Sequence, residues 1–153
     1  KNKLVVHTSG SVSVYDIDKK HKRGVLYPLQ SFSKNAEMDF ANVPICIETI
    51  DKACFPILKE LSLSLGSPIK RINSDQRRVL HLAAVFVNNF TNYLYQISWD
   101  MTKQEGIPFD LLRPLILETA QKVMLHPPEE LWLEVPLQRS CYRTRHIGVK
   151  CLR

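Results

Sequence analysis

The sequence predicts an α/β fragment in the first half of the chain and an all-α region after it. Up to Asn73, short runs rich in β-branched and aromatic residues alternate with one helical pattern, which is typical of an α/β unit. From Ser74 the apolar period is helical, and no glycine or proline interrupts it before Gly106. We therefore expect the boundary between the two regions at residues 73/74.

Four short strands and one helix are predicted in the α/β fragment. The first strand ends at a Ser-Gly-Ser turn, as a buried strand does when it leaves a sheet through a tight loop. The helix has Asp51 near its start and Gly66 at its end, which are common residues at helix termini. The predicted strands cover residues 3–8, 23–33, 43–50 and 68–73, and the helix covers residues 51–67.

Two helices are predicted in the second half. The first, over residues 75–105, has about 30 residues and a length of about 45 Å. That length exceeds the size of a domain this small, which favours packing against a partner subunit or another domain. The second covers residues 106–125, with Pro114 marking either its first turns or a kink, and "HPPEE" ends it.

The composition is that of a globular protein of one domain or two small pieces, with 153 residues and a net charge of +6. Five Lys or Arg residues and no acidic residue lie in 139–153, and without them the net charge is +1. Because the basic excess is confined to this tail, no nucleic-acid partner is predicted. The longest uncharged run, 79–98, contains a histidine and several amides, which argues against a membrane span.

The four cysteines predict neither a disulfide framework nor a metal site. Cys46 and Cys54 lie in apolar runs, as buried free thiols do, and no CxxC pair occurs among the four cysteines. The chain shows no signal peptide. We therefore expect a reduced, metal-free protein of the cytoplasm.

The stretch "HTSGSVSV" at 7–14 is the first candidate site. A strand that ends in a Ser/Thr/Gly loop places hydroxyl and N–H groups at the carboxyl edge of a sheet, where α/β proteins bind ligands. The alternative is a polar turn in which Gly10 supplies a positive φ.

The stretch "YPLQSFS" at 27–33 is the second candidate site. Tyr27 and Gln30 can hydrogen-bond a ligand, and Pro28 fixes the chain as it leaves the strand. The alternative is a strand end with ordinary packing.

A polar line on the long helix is the third candidate site. At 100° per residue, His81, Asn88 and Asn92 fall within about 20° of one line along an otherwise apolar helix. Buried amides cost roughly 1–3 kcal/mol when they lack a partner, so these side chains must contact other polar groups. The line is either a satisfied core network or the wall of a site.

The glycine positions exclude the common phosphate-binding motifs from this chain. The five glycines, at 10, 24, 66, 106 and 148, cannot form GxGxxG, and the sequence contains no P-loop, GxSxG or HExxH.

Several segments together carry a family resemblance over about residues 3–130. They are "LVVHTSGS", "GVLYPLQSFSK", "INSDQRRVLHLAAVFVNNFTNYLY" and "GIPFDLLRPLILETAQKV". They resemble the latter part of bacterial Rossmann-like proteins described as deazaflavin-dependent NADP oxidoreductase-like, which have a helical C-terminal domain of unassigned function. The order of elements is also similar to that of prephenate dehydrogenases and pyrroline-5-carboxylate reductases. Those enzymes hold the nicotinamide between a Rossmann domain and a helical dimerisation domain.

The resemblance implies an NADP-dependent oxidoreductase that transfers hydride to or from a small carbonyl, imine or alcohol. Residues 1–73 would be the C-terminal part of the Rossmann-like domain, 74–130 a helical dimerisation and substrate domain, and 131–153 a divergent basic tail. The expected partners are a second copy, through the long helix 75–105, and a small-molecule substrate. The alternative is a non-catalytic dimerisation or nucleotide-sensing module.

The resemblance also implies roles for the candidate residues. The proton donor or acceptor would be His81, with His7 and Tyr27 as the next candidates. The substrate would be oriented by Asn88, Asn92, Gln30 and Ser31. The nicotinamide side would be lined by Thr8, Ser9 and Ser11.

Two departures from the family pattern stand out. The strand-loop-helix that carries GxGxxG is missing, so the chain alone is not expected to turn over. After the second helix, "ELWLEVPLQRSCYRTRHIGVKCLR" replaces a T-G-P-A-x-R-type segment, which suggests a frameshift or unusual divergence.

Overall fold

The computed structural model describes residues 2–32 and 37–131. The chain divides into two compact units, one ending at Asp100 and the other beginning at Met101. The first unit therefore includes most of the long helix as well as the α/β fragment. Of the tail predicted over 131–153, only Leu131 lies within the described residues.

The first unit contains a four-stranded mixed sheet whose strands lie in chain order. β1 and β2 are parallel, β2 and β3 antiparallel, and β3 and β4 parallel. The carboxyl ends of β1 and β2 therefore lie at one edge of the sheet, beside the start of β3. The strands are β1 (Leu4–His7), β2 (Lys22–Pro28), β3 (Ile45–Thr49) and β4 (Ile69–Arg71).

The sheet is covered by a helix on each face. On one face, α1 (Phe55–Ser64) places Leu58 against Ile45 and Ile47 of β3. On the other face, Val25 and Tyr27 of β2 form a core with Val14 and Cys46, and Leu80 packs against this core. The alternation of side chains along β2 and β3 supplies both cores.

The helical segment predicted over 75–105 is present. It consists of α2 (Ser74–Val85), a π-helical turn (Phe86–Phe90) and α3 (Thr91–Gln104). The Asn73 side chain caps the segment by accepting a hydrogen bond from the N–H of Gln76, and the Gln76 side chain reciprocates. The π-helical turn was not predicted, because its residues fit a regular α-helical pattern equally well.

A buried ion pair fixes α2 on the sheet. The Arg77 guanidinium, which is fully buried, donates to the Glu48 carboxylate of β3 and to the Val12 carbonyl oxygen. The Ser74 hydroxyl donates to the same carboxylate, with Oγ 2.8 Å from Oε2, and accepts from the Val14 N–H at 3.1 Å. This network sets the orientation of α2, and the next turn of the helix carries His81.

The second unit is helical in its described part. A 3-10 turn (Phe109–Leu112) leads into α4 (Arg113–Leu125), so the helix begins later than residue 106, and of the two alternatives for Pro114 the structure shows the first turn. A short helix, α5 (Pro128–Leu131), follows where only a helix end was expected. Within the described ranges, no helix combines the length and the apolar character needed to cross a membrane.

Candidate functional site

A cavity of about 580 Å³ lies in the first unit, between the segment after β2 and the long helix. This volume falls within the range of small-molecule sites, roughly 300–1,000 Å³. Its apolar lining includes Leu29, Leu80 and Val87. Its polar lining consists of Tyr27, Gln30, Ser31, His81, Asn88 and Asn89. Five of these six are site residues predicted from the sequence.

Tyr27 and His81 form a hydrogen-bonded pair in the cavity wall. The Tyr27 hydroxyl oxygen lies 3.0 Å from Nδ1 of His81, and the two rings meet edge to face at 79°. Tyr27 is only 8% exposed, and this burial raises the pKa of its hydroxyl above the ordinary value of 10.0. The pair thus joins a phenol that remains protonated to an imidazole, which can donate or accept a proton.

The loop after β1 meets this pair through Gly10. A Cβ atom at Gly10 would lie 2.6 Å from both Cγ and Nδ1 of His81, a distance that real Cβ atoms do not show. Gly10 does not have a positive φ, so the turn proposed from the sequence does not explain this glycine. Close approach to His81 explains it instead.

His7 has both ring nitrogens engaged within its own loop. Its Nδ1 accepts from the N–H of Ser9 at 3.2 Å, and its Nε2 lies 3.4 Å from the Ser13 carbonyl oxygen. The carbonyl requires a donor, so this arrangement corresponds to a neutral imidazole protonated at Nε2. His7 does not line the cavity.

The three residues predicted for the nicotinamide side lie on the same loop, outside the cavity lining. The Ser9 hydroxyl oxygen accepts from the N–H groups of Ser11 at 3.3 Å and Val12 at 3.2 Å. Thr8 and Ser11 are exposed, and Ser9 is half-buried. Ser9 and Ser11 flank Gly10, which brings this loop next to His81.

The asparagines lie on the π-helical turn and just after it. Asn88 and Asn89 both line the cavity, and Nδ2 of Asn88 lies 3.4 Å from Oδ1 of Asn89. Asn92 is exposed and lies outside the lining, although its Nδ2 is 3.4 Å from Oδ1 of Asn88. Asn89 was not among the predicted site residues. A regular α-helix directs consecutive side chains about 100° apart, so the pattern selected Asn88 alone.

Gln30 and Ser31 lie at the open side of the cavity. Oε1 of Gln30 accepts from the Ser31 N–H at 2.9 Å, and the Gln30 N–H donates to the Pro28 carbonyl oxygen at 3.1 Å. Both residues are exposed. Their side chains can therefore contact a ligand that enters the cavity.

A second cavity, of about 400 Å³, lies at the carboxyl end of β3. Most of its polar groups have structural partners, since Glu48 pairs with Arg77, Asn73 and Gln76 cap α2, and the Arg71 guanidinium lies over the Phe55 ring. In the described residues, the buried Oγ1 of Thr49, which also lines this cavity, has no hydrogen-bond partner. It is therefore a weaker candidate than the cavity that contains Tyr27 and His81.

The described part of the chain holds no group of three or more His, Cys, Asp or Glu side chains that could bind a metal ion together. Cys46 and Cys54 are buried free thiols, as the sequence predicted. Cys141 and Cys151 lie outside the described residues.

Comparison with models of known protein families identifies one family to which the chain is related. The family model of a domain of unknown function, DUF2520, matches residues 43–139, more than half of the chain. The chain belongs to the DUF2520 family. The match begins just before β3 and includes the whole helical segment that carries His81, Asn88 and Asn89. No curated protein matches the chain.

Two solved structures share the fold of this DUF2520 chain. One is a candidate NADP oxidoreductase from Bacteroides fragilis, 40% identical over 83% of this chain and 49% of its own, with a TM-score of 0.77. The other is a Thermotoga maritima protein, 25% identical over 81% of this chain and 50% of its own, with a TM-score of 0.67. The present chain thus spans about half the length of both. The resemblance to NADP oxidoreductase-like proteins is confirmed, and so is the α/β fold with a helical continuation.

Proposed function

We propose that this chain forms the substrate-binding side of an NADP-dependent oxidoreductase that acts on a small carbonyl, imine or alcohol. The observation that carries the proposal is the partly buried Tyr27–His81 hydrogen bond in the wall of a ligand-sized cavity. The Bacteroides fragilis relative, described as a candidate NADP oxidoreductase, supports the reaction class.

The pair fits the proton requirement of such a reaction. Bound NADPH would supply a hydride to the substrate carbon, and the substrate oxygen or nitrogen would then need a proton. His81 is the first candidate for that donor. Tyr27, whose pKa is raised by burial, keeps its proton at neutral pH and can donate it as a hydrogen bond to Nδ1 of His81, which would hold the imidazole proton on Nε2.

The residues of this chain fit only one end of the cofactor. Thr8, Ser9 and Ser11 offer hydroxyl groups on the loop that reaches His81 through Gly10, and they would face the nicotinamide. The glycine spacing of a pyrophosphate-binding loop does not occur in the sequence. We therefore assign only the nicotinamide-facing side of an NADP site to this chain.

The long helix would join two copies of the chain. The helix exposes an apolar stripe at helical spacing, and the ring centroids of Phe86 and Phe90 stack within it 4.9 Å apart. No charged residue occurs between positions 79 and 98, which suits a self-complementary contact better than a charged partner. The stripe consists of Val79, Leu82, Phe86, Phe90, Leu94 and Ile97.

Oxidation of NADPH in the protein expressed from its complete gene tests the function. A panel of small ketones, aldehydes, imines and keto acids is screened by absorbance, with separate titrations of NADPH binding. His81→Ala and Asn88→Ala should lower turnover or NADP-induced stabilisation, whereas Gln96→Ala, on the exposed surface of α3, should not. NADPH binding without oxidation by any substrate would instead support the nucleotide-sensing alternative, and unchanged activity in both site variants would make the polar line a core network.

A further inference from the structure

We propose that the cavity selects substrates whose recognition group is uncharged, such as a carboxamide or hydroxyl, over substrates that present a carboxylate. This inference rests on the proposed function and narrows its substrate class. It follows from the kinds of side chain that line the cavity and from the burial and pairing of Arg77, a cation on the same helix as His81.

The polar lining is rich in carboxamides and hydroxyls. Gln30, Asn88 and Asn89 contribute three carboxamides, and Ser31 contributes a hydroxyl. Within the described residues, no Asp, Glu, Lys or Arg lines this cavity. Carboxamides donate and accept equally well, so they match a neutral group that does both.

The asparagine pair retains the capacity to bind such a group. The contact between Asn88 and Asn89 uses one hydrogen of the Asn88 amide and one lone pair of the Asn89 oxygen, at the long distance of 3.4 Å. In the described part of the chain, no hydrogen bond involves Nδ2, the side-chain amide nitrogen, of Asn89. Asn89 can therefore donate to a ligand carbonyl oxygen and accept from a ligand N–H or O–H.

The Arg77 cation of α2 is not available to a carboxylate ligand. Arg77 lies one helical turn before His81, but it is fully buried, does not line the cavity and is paired with Glu48. A carboxylate that entered between Leu29, Leu80 and Val87 would lose solvation without gaining an ion pair, whereas a neutral amide loses much less.

Two probes that differ only in this group test the inference: 4-oxopentanamide and 4-oxopentanoate. Their binding to the protein expressed from its complete gene, with saturating NADP⁺, is measured by calorimetry at pH 8, above the ordinary range of histidine protonation. We expect the amide to bind at least tenfold more tightly. Equal binding, tighter binding of the carboxylate, or binding of neither probe would overturn the inference.

A charge placed in the cavity gives the second measurement. Asn89→Lys should reverse the preference in favour of 4-oxopentanoate, because it supplies the missing cation at an exposed position that can accommodate the side chain. The matched control Gln96→Lys adds the same charge to the same helical segment outside the cavity and should leave the preference unchanged. An unchanged preference in Asn89→Lys would place recognition elsewhere and overturn the inference.

Oxidation of NADPH by the same two probes separates this inference from the proposed function. Selective binding of the amide without oxidation would support the selectivity of the cavity and count against the oxidoreductase proposal. Oxidation together with a preference for the carboxylate would support the oxidoreductase proposal and overturn the selectivity.

Discussion

Gly10 lies against the His81 ring so closely that its missing side chain defines the position of the imidazole. A Cβ atom there would be 2.6 Å from Cγ and Nδ1, and 3.0 Å from Cβ, of His81. These atoms belong to the root of the side chain and cannot move away without a change of rotamer or of the helix. The loop after β1 thus packs against the helix at Nδ1 of His81, the atom that is hydrogen-bonded to the Tyr27 hydroxyl.

Gly10→Ala should therefore disrupt the site and lower stability. Overpacking of this kind costs about 1–3 kcal/mol, and we expect a loss in this range in the free energy of unfolding measured with urea. The His81 ring resonances should shift in NMR spectra, because the ring must move and its Nδ1 then loses the hydrogen bond to the Tyr27 hydroxyl. Ser11→Ala, in the same loop but exposed, is the control and should change neither. A fully stable Gly10→Ala with an unmoved His81 resonance would show that the close contact is absent in solution.

Stability at alkaline pH should report the burial of Tyr27. The pKa of Tyr27 is raised by burial, with Cys46 adding to the shift and Arg77 opposing it. The folded protein therefore holds this proton more tightly than the unfolded chain, so the contribution is complete below pH 10 and is lost as the pH rises through the folded-state pKa. The pKa of Cys46 is also raised by burial, so the stability that the protonated Cys46 thiol contributes begins to be lost above pH 9.

Urea unfolding between pH 8 and 11.5 measures this effect. Stability of the wild type should fall over the range in two overlapping steps. Tyr27→Phe should remove the later step, above pH 10, while the step that begins near pH 9 persists. If Tyr27→Phe follows the wild-type curve throughout, the hydroxyl does not titrate differently in the folded and unfolded states.

Removing one member of the Glu48–Arg77 pair should lower the free energy of unfolding strongly, whereas replacing both members should lower it little. Arg77→Met alone leaves a carboxylate with little solvent around it, and Glu48→Gln alone leaves a buried cation, so each should cost about 3–5 kcal/mol. The double variant should recover most of that loss, because neither charge remains unpaired. Thermal and urea unfolding of the four proteins gives the coupling free energy.

The exposed pair Asp75–Arg78 is the matched control on the same helix. Asp75→Asn should change stability by less than about 1 kcal/mol, as is usual for solvent-exposed ion pairs. A similar cost at the two sites would mean that Arg77 is solvated and that the network does not anchor α2.

The apolar stripe should govern oligomeric state. Leu94→Glu places a charge in the middle of the stripe and should convert a dimer into a monomer, as measured by light scattering after gel filtration. Gln96→Glu introduces the same charge two residues away, outside the stripe, and should leave the dimer intact. A wild-type protein that is monomeric at micromolar concentration would count against the proposed homodimer.

The sequence predicted the elements well because each carries its own local pattern. The long helix has no glycine or proline, and each strand is a short β-branched run, so their existence depends only on neighbouring residues. The Tyr27–His81 contact could not be predicted, because 54 positions separate the two residues and only the packing of α2 against β2 brings them together. Both residues were nevertheless selected, each for its own chemistry.

The features missed by the sequence depend on three-dimensional neighbours. Glu48 and Arg77 look like ordinary surface charges in one dimension, and only the stacking of α2 on β3 buries them together. Gly10 was interpreted as a turn residue because a close approach to a histidine 71 positions away leaves no local signal. Asn89 is not predicted as a site residue, because a regular α-helix directs its side chain about 100° away from that of Asn88.

The π-helical turn allows the cavity lining to change through the deletion of a single residue. A π-helical turn holds one more residue than an α-helical turn, so the loss of one codon between Phe86 and Phe90 would restore a regular helix and leave the flanking helices in place. The same deletion would alter which of Asn88 and Asn89 faces the cavity. Evolution could thus exchange the ligand-facing amides of this domain by insertion or deletion, without substituting any residue of the Tyr27–His81 pair.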